Sequence, residues 1–207
     1  LGITGGVGAG KSTVLQYLHT KYRASILMLD DVAREMQMPG GACYRPMRSL
    51  FGEDAVLPDG TFDRGKLAKI MFSDPELIRK VNGLVHPLVK EYVLEQVETI
   101  LRSDDSWCVI EAALLLEDHY DKICDEIWYV YTDDRVRRER LKASRRYSDE
   151  KIDQIFNSQR SEEYFRSHCQ YTIDNSADDM SIVREQIDRG LAERGFPVIS
   201  ERFLPDQ

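Results

Sequence analysis

The feature that most constrains this chain is a glycine-rich motif near its start, placed between an apolar run and a helical pattern. Residues 5–12 read GGVGAGKS and fit G-x-x-x-x-G-K-[ST] at every fixed position. Glycines let the backbone wrap closely around an anion and turn successive N–H groups inward. A helix that begins at about Lys11 directs its positive dipole end at the same charge. A plain strand-to-helix turn would explain the glycines but not the Lys-Ser pair, so the motif predicts a phosphate-binding loop.

The side chains of the motif indicate which phosphates would bind. Lys11 is placed to reach the β- and γ-phosphates of a nucleoside triphosphate, and the Ser12 hydroxyl is a ligand for Mg²⁺. We therefore expect ATP with Mg²⁺ to bind on this loop. The predicted contacts are Gly8, Ala9, Gly10, Lys11, Ser12 and Thr13.

Apolar runs of strand length alternate with helical patterns along the chain. They lie at residues 1–4, 24–29, 107–112, 126–131 and, more weakly, 171–173. Such alternation favours a parallel sheet covered on both faces. We predict an α/β, three-layer fold of the P-loop nucleoside-triphosphate-hydrolase type, in which residues 1–207 form a single domain. Because Leu1 already lies in an apolar run, we expect its strand to begin a few residues earlier.

A helical insert is predicted between the second and third strands. Its start is marked by the turn residues Pro39-Gly40-Gly41, and a long amphipathic helix runs from about Leu88 to Arg102. Another helix starts nearby, where the capping-box spacing favours Ser73 as the cap and proline at the next position favours Asp74. We expect residues 39–102 to form a subdomain that covers a substrate.

A run of seven basic side chains lies between residues 135 and 146, in a chain whose net charge is −8. A nucleic-acid surface is disfavoured because the run has no interleaved aromatic residues and the rest of the chain is acidic. Two interpretations remain. The run is either a solvated helix capped near Thr132 or Asp133, or part of a lid over residues 135–166 that closes on ATP and brings arginines to the transferred phosphoryl group.

Three classes of phosphate-loop protein compete for this sequence. A GTPase would carry N-K-x-D and D-x-x-G, and a transport ATPase an L-S-G-G-Q-like signature, and the sequence has none of these strings. A small-molecule kinase predicts a carboxylate just after the second strand, to receive the proton of the acceptor hydroxyl. Asp30 and Asp31 lie at that place. A kinase is therefore favoured, and a non-catalytic nucleotide-binding module is the alternative from another class.

Several motifs, taken in order, resemble the dephospho-coenzyme A kinase family of P-loop small-molecule kinases. They are GITGGVGAGKST at 2–13, LDDVAR at 29–34, DGTFDR at 59–64, VHP at 85–87, LLLE at 114–117 and IDN at 173–175. The chain departs from the family pattern at Met28, where the family has an aspartate, and at Ala113, where it has a proline. The resemblance implies ATP-dependent phosphorylation of the ribose 3′-hydroxyl of dephospho-CoA, the last step of coenzyme A biosynthesis. A kinase of another small acceptor, such as a nucleoside monophosphate, is the nearest alternative.

The resemblance assigns residues near the insert to the acceptor. Asp30 would be the general base, although an aspartate here could instead cap the following helix. Arg34 lies one helical turn later and would hold a substrate phosphate or pair with a surface acid. His86, before Pro87, would contact polar groups of the acceptor or be structural at a helix start.

Further site residues are expected near the third to fifth strands. Glu111 is a charge within an apolar strand, so we expect it to orient the acceptor or hold Mg²⁺ through water, and Glu117 to act similarly. Arg140 is predicted as the catalytic arginine of the lid and Arg145 as an ATP contact. The family pattern implies that Asn175 lies by the adenine, unless it is only a turn residue.

Composition indicates the compartment and the kinds of partner that this protein has. A net charge of −8 disfavours general binding to nucleic acid or membrane surfaces. No stretch approaches the roughly 18 uncharged apolar residues of a membrane helix, and there is no signal-peptide pattern. Four widely spaced cysteines indicate reduced thiols in a cytoplasm. We expect a cytoplasmic monomer or weak homo-oligomer whose partner is the small-molecule substrate dephospho-CoA.

Overall fold

A computed structural model describes residues 1–102 and 107–196, except for the side chain of Phe72. The chain divides into two compact units. The first is formed by Leu1–Leu27 with Ile100–Gln207, and the second by Met28–Thr99. The second unit therefore begins before Pro39, where the sequence places the start of the helical insert.

The first unit is built on a five-stranded sheet of order β2-β3-β1-β4-β5. The strands β1 to β5 are Gly2–Thr4, Ser25–Met28, Cys108–Glu111, Ile127–Tyr131 and Tyr171–Asp174. β1 pairs in parallel with β3 and β4, and β4 pairs in parallel with β5. The predicted parallel sheet is thus confirmed, and each predicted strand end lies within one residue of the observed one.

The order of the sheet determines where the phosphate loop lies. β1 is the central strand, and Ile3 is paired with both Glu111 of β3 and Trp128 of β4. Parallel strands end at the same edge of a sheet, and ligands of open α/β sheets bind beyond that edge. The loop after β1 and the residues after β4 and β5 therefore converge at one edge.

Nine helices, α1 to α9, are assigned within the described ranges. They span Lys11–Tyr22, Leu29–Met36, Tyr44–Phe51, Arg64–Ser73, Pro75–Leu101, Asp134–Arg145, Asp149–Ser158, Glu162–His168 and Met180–Glu193. None of these helices, all drawn from the described residues, is long and apolar enough to cross a membrane.

One face of the sheet forms the main core with α1 and α9. Ile3, Trp128, Val130 and Ile173 alternate along their strands and are fully buried. The helices supply apolar stripes at helical spacing to the same cluster: Val14 and Leu18 from α1, and Val183, Ile187 and Leu191 from α9. This packing fixes the first turn of α1, which carries the motif lysine.

The second unit is helical, and its longest element differs from the prediction. α5 runs continuously over Pro75–Leu101 with Pro87 inside it, so the expected helix start at Leu88 is wrong. The Asp74 carboxylate caps α5 by accepting from the backbone N–H groups of Glu76 and Leu77, at 3.0 and 3.1 Å. Of the two predicted caps, Asp74 is therefore the one used, and Ser73 ends α4.

Candidate active site

The phosphate loop joins the end of β1 to the start of α1 in a conformation that only glycine adopts easily. Gly10 has a φ of 83°, and a Cβ there would lie 2.1 Å from the Asn175 amide nitrogen. Within the loop, the Ala9 N–H donates to the Gly6 carbonyl at 3.1 Å. The glycines therefore serve both the curvature of the loop and its close contact with the residues beneath it.

Two buried polar side chains hold the loop from the ends of β4 and β5. The Thr132 hydroxyl and the Asn175 amide donate to the Ala9 carbonyl at 2.9 and 2.8 Å. Each residue is only 2% exposed. The Asn175 side-chain oxygen is buried and has no hydrogen-bond partner within the described residues. Asn175, predicted to lie by the adenine, thus contacts the loop backbone directly.

Lys11, which is partly buried, forms an ion pair with the buried Glu111 next to the loop. The Lys11 ammonium donates to the Gly5 carbonyl at 2.9 Å and lies 3.3 Å from a Glu111 carboxylate oxygen. Glu111 is 7% exposed at the end of β3, which neighbours β1 in the sheet. The carboxylate fixes the lysine where triphosphate oxygens would reach it, since an unpaired buried charge is costly.

Ser12 and Glu111 carry oxygen atoms of the types that a magnesium ion takes as ligands. Ser12 lies exposed in the first turn of α1, and the adjacent Thr13 donates its N–H to the Gly10 carbonyl at 3.1 Å. Hydroxyl and carboxylate oxygens are the ligand types that Mg²⁺ prefers, usually one or two per site together with substrate phosphates. Ser12 and Glu111 would supply this set.

The basic run lies on α6 and is divided between two roles. Arg138 and Lys142 pair with Asp149 of α7 at 2.7–2.8 Å, so part of the run joins two helices of the predicted lid. Arg145, at the end of α6, is exposed and lies 5.9 Å from the centre of the Tyr147 ring. These contacts occur on the helix surface and not at the phosphate loop.

Two other arginines of α6 approach the loop. A guanidinium nitrogen of Arg140 lies 3.6 Å from the position of a Cβ on Gly10. Arg137, which sequence reasoning did not select, donates to the Val7 carbonyl at 3.2 Å. The helix phase was a usable signal, because Leu141 is buried one turn after Arg137 and both therefore lie on the inward face. Asp133, one of the two predicted caps, does cap α6 by accepting from the Arg135 N–H at 2.9 Å.

A cavity of about 560 Å³ adjoins the loop at Gly6, between the end of β4 and the helices α6 to α8. Its walls include Tyr129, Tyr131, Phe156, Phe165, Arg137 and Arg160. Tyr129 stacks on Phe165 with ring centroids 4.8 Å apart, and burial raises the pKa of Tyr129 to about 12. The phenol therefore stays neutral at physiological pH, and the cavity combines aromatic walls with two cations.

Glu117 lies in the segment after β3 and pairs with the predicted lid. Its carboxylate accepts from Arg160, between α7 and α8, at 3.3 Å. Its second oxygen is buried without a hydrogen-bond partner in the part of the chain that the structure describes. Glu117 thus links the segment after β3 to the predicted lid.

The remaining predicted residues lie in the second unit and are exposed. Asp30 is the second residue of α2, whose N-cap is Met28, so the alternative that Asp30 caps this helix is wrong. Arg34 pairs with Asp31 at 2.5 Å on the surface. His86 lies within α5 and not at a helix start, because the helix continues through Pro87.

These features define a class of protein. A five-stranded parallel sheet whose central strand leads into a G-x-x-x-x-G-K-S loop, with an ion-paired lysine and a basic helix beside it, is the framework of a P-loop small-molecule kinase. The family model described as CoaE, dephospho-CoA kinase, matches residues 1–180. The chain belongs to the dephospho-CoA kinase family, as its motifs predict, and is therefore an ATP-dependent kinase that acts on a small molecule.

Individual relatives agree with this assignment. A dephospho-CoA kinase from Carboxydothermus hydrogenoformans is 34% identical over 188 residues, which cover 90% of each chain. The crystal structure of TT1252 from Thermus thermophilus has a TM-score of 0.78 at 27% identity and covers 93% of this chain and 95% of its own. A dephospho-CoA kinase from Campylobacter jejuni shares the fold, with a TM-score of 0.68 at 19% identity and coverage of 94% and 96%.

Proposed function

We propose that this protein transfers the γ-phosphoryl group of ATP to the ribose 3′-hydroxyl of dephospho-CoA, giving CoA and ADP. The observation that carries the proposal is an intact phosphate loop, with Lys11 held by Gly5 and Glu111, in a chain that matches the family over residues 1–180. This reaction is the last step of coenzyme A biosynthesis.

The donor side of the proposed site is the loop and the start of α1. The segment from Gly8 to Thr13 would bind the β- and γ-phosphates through the Lys11 ammonium and those backbone N–H groups that are not used within the loop. Ser12 and Glu111 would hold Mg²⁺, which when bound neutralises charge on these phosphates. Arg140 is proposed as the catalytic arginine, because its guanidinium approaches the loop at Gly10. Arg145 and Asn175 complete the proposed ATP contacts.

The acceptor side is proposed to use exposed residues of the second unit. The Asp30 carboxylate would accept the proton of the 3′-hydroxyl while the hydroxyl oxygen forms a bond to the γ-phosphorus. The bond from that phosphorus to the β–γ bridging oxygen breaks, and ADP leaves with the bridging electron pair. Arg34 and His86 of the same unit are proposed acceptor contacts, and Glu111 and Glu117 of the first unit are proposed as further ones. The exposure of Asp30 in the first turn of α2 supports its availability to a substrate.

Two parts of the chain are proposed to enclose the substrates. Residues 39–102 would form the acceptor-binding subdomain, and residues 135–166 a lid that closes on ATP and excludes water. The ion pairs of Arg138 and Lys142 with Asp149 support the lid proposal, because they make α6 and α7 one body. We further propose that the protein is cytoplasmic and is a monomer or weak homo-oligomer. Its four free cysteines support the cytoplasmic location.

The proposal is tested by acceptor-dependent ADP release from ATP with Mg²⁺. Dephospho-CoA is compared with AMP, CMP, UMP and shikimate, and the product is weighed by mass spectrometry. We expect turnover with dephospho-CoA and a product that has gained one phosphate. Lys11→Ala is the control, because it removes the loop's cation and should abolish turnover while the circular dichroism spectrum is unchanged.

Each other outcome has a definite meaning. Release of ADP with a different acceptor would keep the kinase mechanism and refute the acceptor. Binding of ATP with no acceptor-dependent turnover would overturn the proposal in favour of a non-catalytic nucleotide-binding module.

A further inference from the structure

We propose that Arg137 is a positioning residue of the phosphate loop, which fixes the Val7–Gly8 peptide so that the Gly8 N–H is presented to the bound phosphates. The inference rests on the proposed function only in taking ATP as the ligand of the loop. Arg137 lies 130 residues after Val7 and outside the loop motif. Its role therefore follows from the fold and not from the motif.

The guanidinium of Arg137 is held from several directions. Its Nε donates to the Val7 carbonyl at 3.2 Å, Nη1 to an Asp134 carboxylate oxygen at 2.9 Å, and Nη2 to the Gln159 side-chain oxygen at 2.5 Å. The guanidinium carbon lies 4.2 Å from the centre of the Phe156 ring, and the side chain is only 12% exposed. A group held at all three nitrogens is a fixed donor to the loop backbone.

Fixing the Val7 carbonyl also fixes the next N–H. In a planar trans peptide the C=O and the following N–H point in opposite directions, so a carbonyl directed at Arg137 turns the Gly8 N–H to the opposite side. Gly8 has a φ of 85° and little intrinsic resistance to rotation of this peptide. The Ala9 N–H is used within the loop by Gly6, which makes the Gly8 N–H more important as a phosphate donor.

The residue at position 6 agrees with this role. The motif leaves position 6 free, yet a Cβ on Gly6 would lie 2.4 Å from Nη2 of Arg137 and 3.0 Å from the Gln159 side-chain oxygen. Glycine at this position lets the guanidinium lie against the loop. Three of the five N–H donors of Arg137 have protein partners, and the one on Nε is directed at the loop backbone, so we assign Arg137 to the backbone.

The test compares substitutions on one helix. Arg137→Ala and Arg137→Lys are measured against Arg135→Ala, an exposed side chain two residues earlier on α6. The Kd of ATP with Mg²⁺ is measured by calorimetry without acceptor, and kcat and the KM of dephospho-CoA are measured separately. Amide hydrogen exchange of residues 5–13 is followed in the unliganded protein.

We expect Arg137→Ala to raise the Kd of ATP about tenfold, the factor that corresponds to roughly 1.4 kcal/mol. Exchange at the loop should become faster, while kcat at saturating ATP and the KM of dephospho-CoA change less than threefold. Arg137→Lys should fall between Arg137→Ala and the parent, because one ammonium cannot keep all three bonds. Arg135→Ala should match the parent.

Two results would overturn the assignment. An unchanged Kd for ATP would show that the loop does not need Arg137, and a loss confined to kcat would mean that Arg137 acts on the transition state. If Arg137→Ala does not fold, Gln159→Leu decides, since it removes one anchor of the guanidinium and should raise the Kd of ATP about threefold. The readout is ATP binding, so it is independent of whether dephospho-CoA is the acceptor.

Discussion

The two units hold their proposed site residues in opposite ways. In the first, Thr132, Glu111 and Asn175 are at most 7% exposed, and each is bonded to the phosphate loop or to its lysine. In the second, Asp30, Arg34 and His86 are exposed, and Arg34 pairs with its neighbour Asp31 on the surface. The first group is buried and bonded around the loop, whereas the second group lies at the surface.

This difference has an energetic reason. Burying a polar group costs free energy unless the group is hydrogen-bonded, so the bonded residues around the loop stabilise one another's positions. An exposed ion pair contributes only about 0.2–1 kcal/mol, so a substrate can replace it at little cost. Substitutions around the loop should therefore change stability together with ATP binding. Substitutions of the exposed site residues in the second unit should change turnover or acceptor binding with little change in stability.

Among the substitutions that should change turnover without changing stability, Asp30→Asn is expected to have the largest effect. Because general-base catalysis contributes about 10²–10⁴ in rate, we expect kcat to fall by that range. The free energy of unfolding and the Kd of ATP should stay the same, since the exposed carboxylate is not the cap of α2. Steady-state kinetics and urea unfolding provide the two measurements. A kcat within threefold of the parent would remove Asp30 from the role of base.

A pair of glycine substitutions tests the packing of the two units directly. Gly10→Ala places a Cβ 2.1 Å from the Asn175 amide nitrogen at a φ of 83°. Left-handed backbone costs about 1–2 kcal/mol and overpacking about 1–3 kcal/mol, so the free energy of unfolding should fall by at least about 2 kcal/mol. Gly83→Ala on α5, where nothing lies within 4 Å, should instead raise it by about 0.5–1 kcal/mol.

Urea unfolding of both variants measures whether the free energy of unfolding falls in Gly10→Ala and rises in Gly83→Ala. The double variant Gly10→Ala with Asn175→Ala should recover part of the loss, because it removes the side chain that the new methyl meets. Equal effects of Gly10→Ala and Gly83→Ala would contradict the view that the loop is the tightly packed region.

The sequence predicts those parts of the molecule whose signals are local. Each strand is an apolar run with turn residues beside it, and the loop motif specifies its own strand-to-helix context, so the sheet and the Lys11 position could be anticipated. A buried stripe of valines also continues on both sides of Pro87 at a spacing of four: Val81, Val85, Val89 and Val93. That stripe was the stronger signal, because Pro87 lies on the exposed side and removes only one hydrogen bond from α5.

The contacts that could not be predicted join distant parts of the chain. Nothing near Val7 identifies Arg137 as its partner, and nothing near Ala9 identifies Thr132 or Asn175. A run of seven basic residues offers many arginines, and only the phase of α6 against the loop distinguishes among them. Such choices depend on packing between elements, which single-sequence patterns do not encode.

A smaller effect is expected for Arg34→Ala in the second unit. The ion pair with Asp31 is exposed, so its loss should change the free energy of unfolding by less than about 1 kcal/mol. If Arg34 holds an acceptor phosphate, the KM of dephospho-CoA should rise by at least about tenfold, because the loss of one charged hydrogen bond costs roughly 1.5–3 kcal/mol. Asp31→Asn is the matched control, because it breaks the same pair and keeps the arginine. Equal kinetics for the two variants would leave Arg34 a surface partner only.

The smallest effect is expected at a surface cluster of the first unit, and it should depend on pH. Asp188 of α9 accepts from Tyr17, Lys21 and Tyr22 of α1 at 2.7–2.9 Å. Partial burial opposes ionisation of this carboxyl, but hydrogen bonds from Lys21, Tyr22 and Tyr17 lower its pKa overall. A lowered folded-state pKa gives stability that is complete above the unfolded pKa of about 3.9 and is lost as the pH falls through the folded value.

Asp188→Asn should therefore reduce the free energy of unfolding at neutral pH by less than about 1 kcal/mol, since the carboxylate is more than a third exposed. The deficit should shrink as urea unfolding is repeated at pH values below about 4. Glu185→Gln, an exposed substitution on the same helix, should show neither effect. A deficit that is constant with pH would mean that packing and not charge joins α9 to α1 at this point.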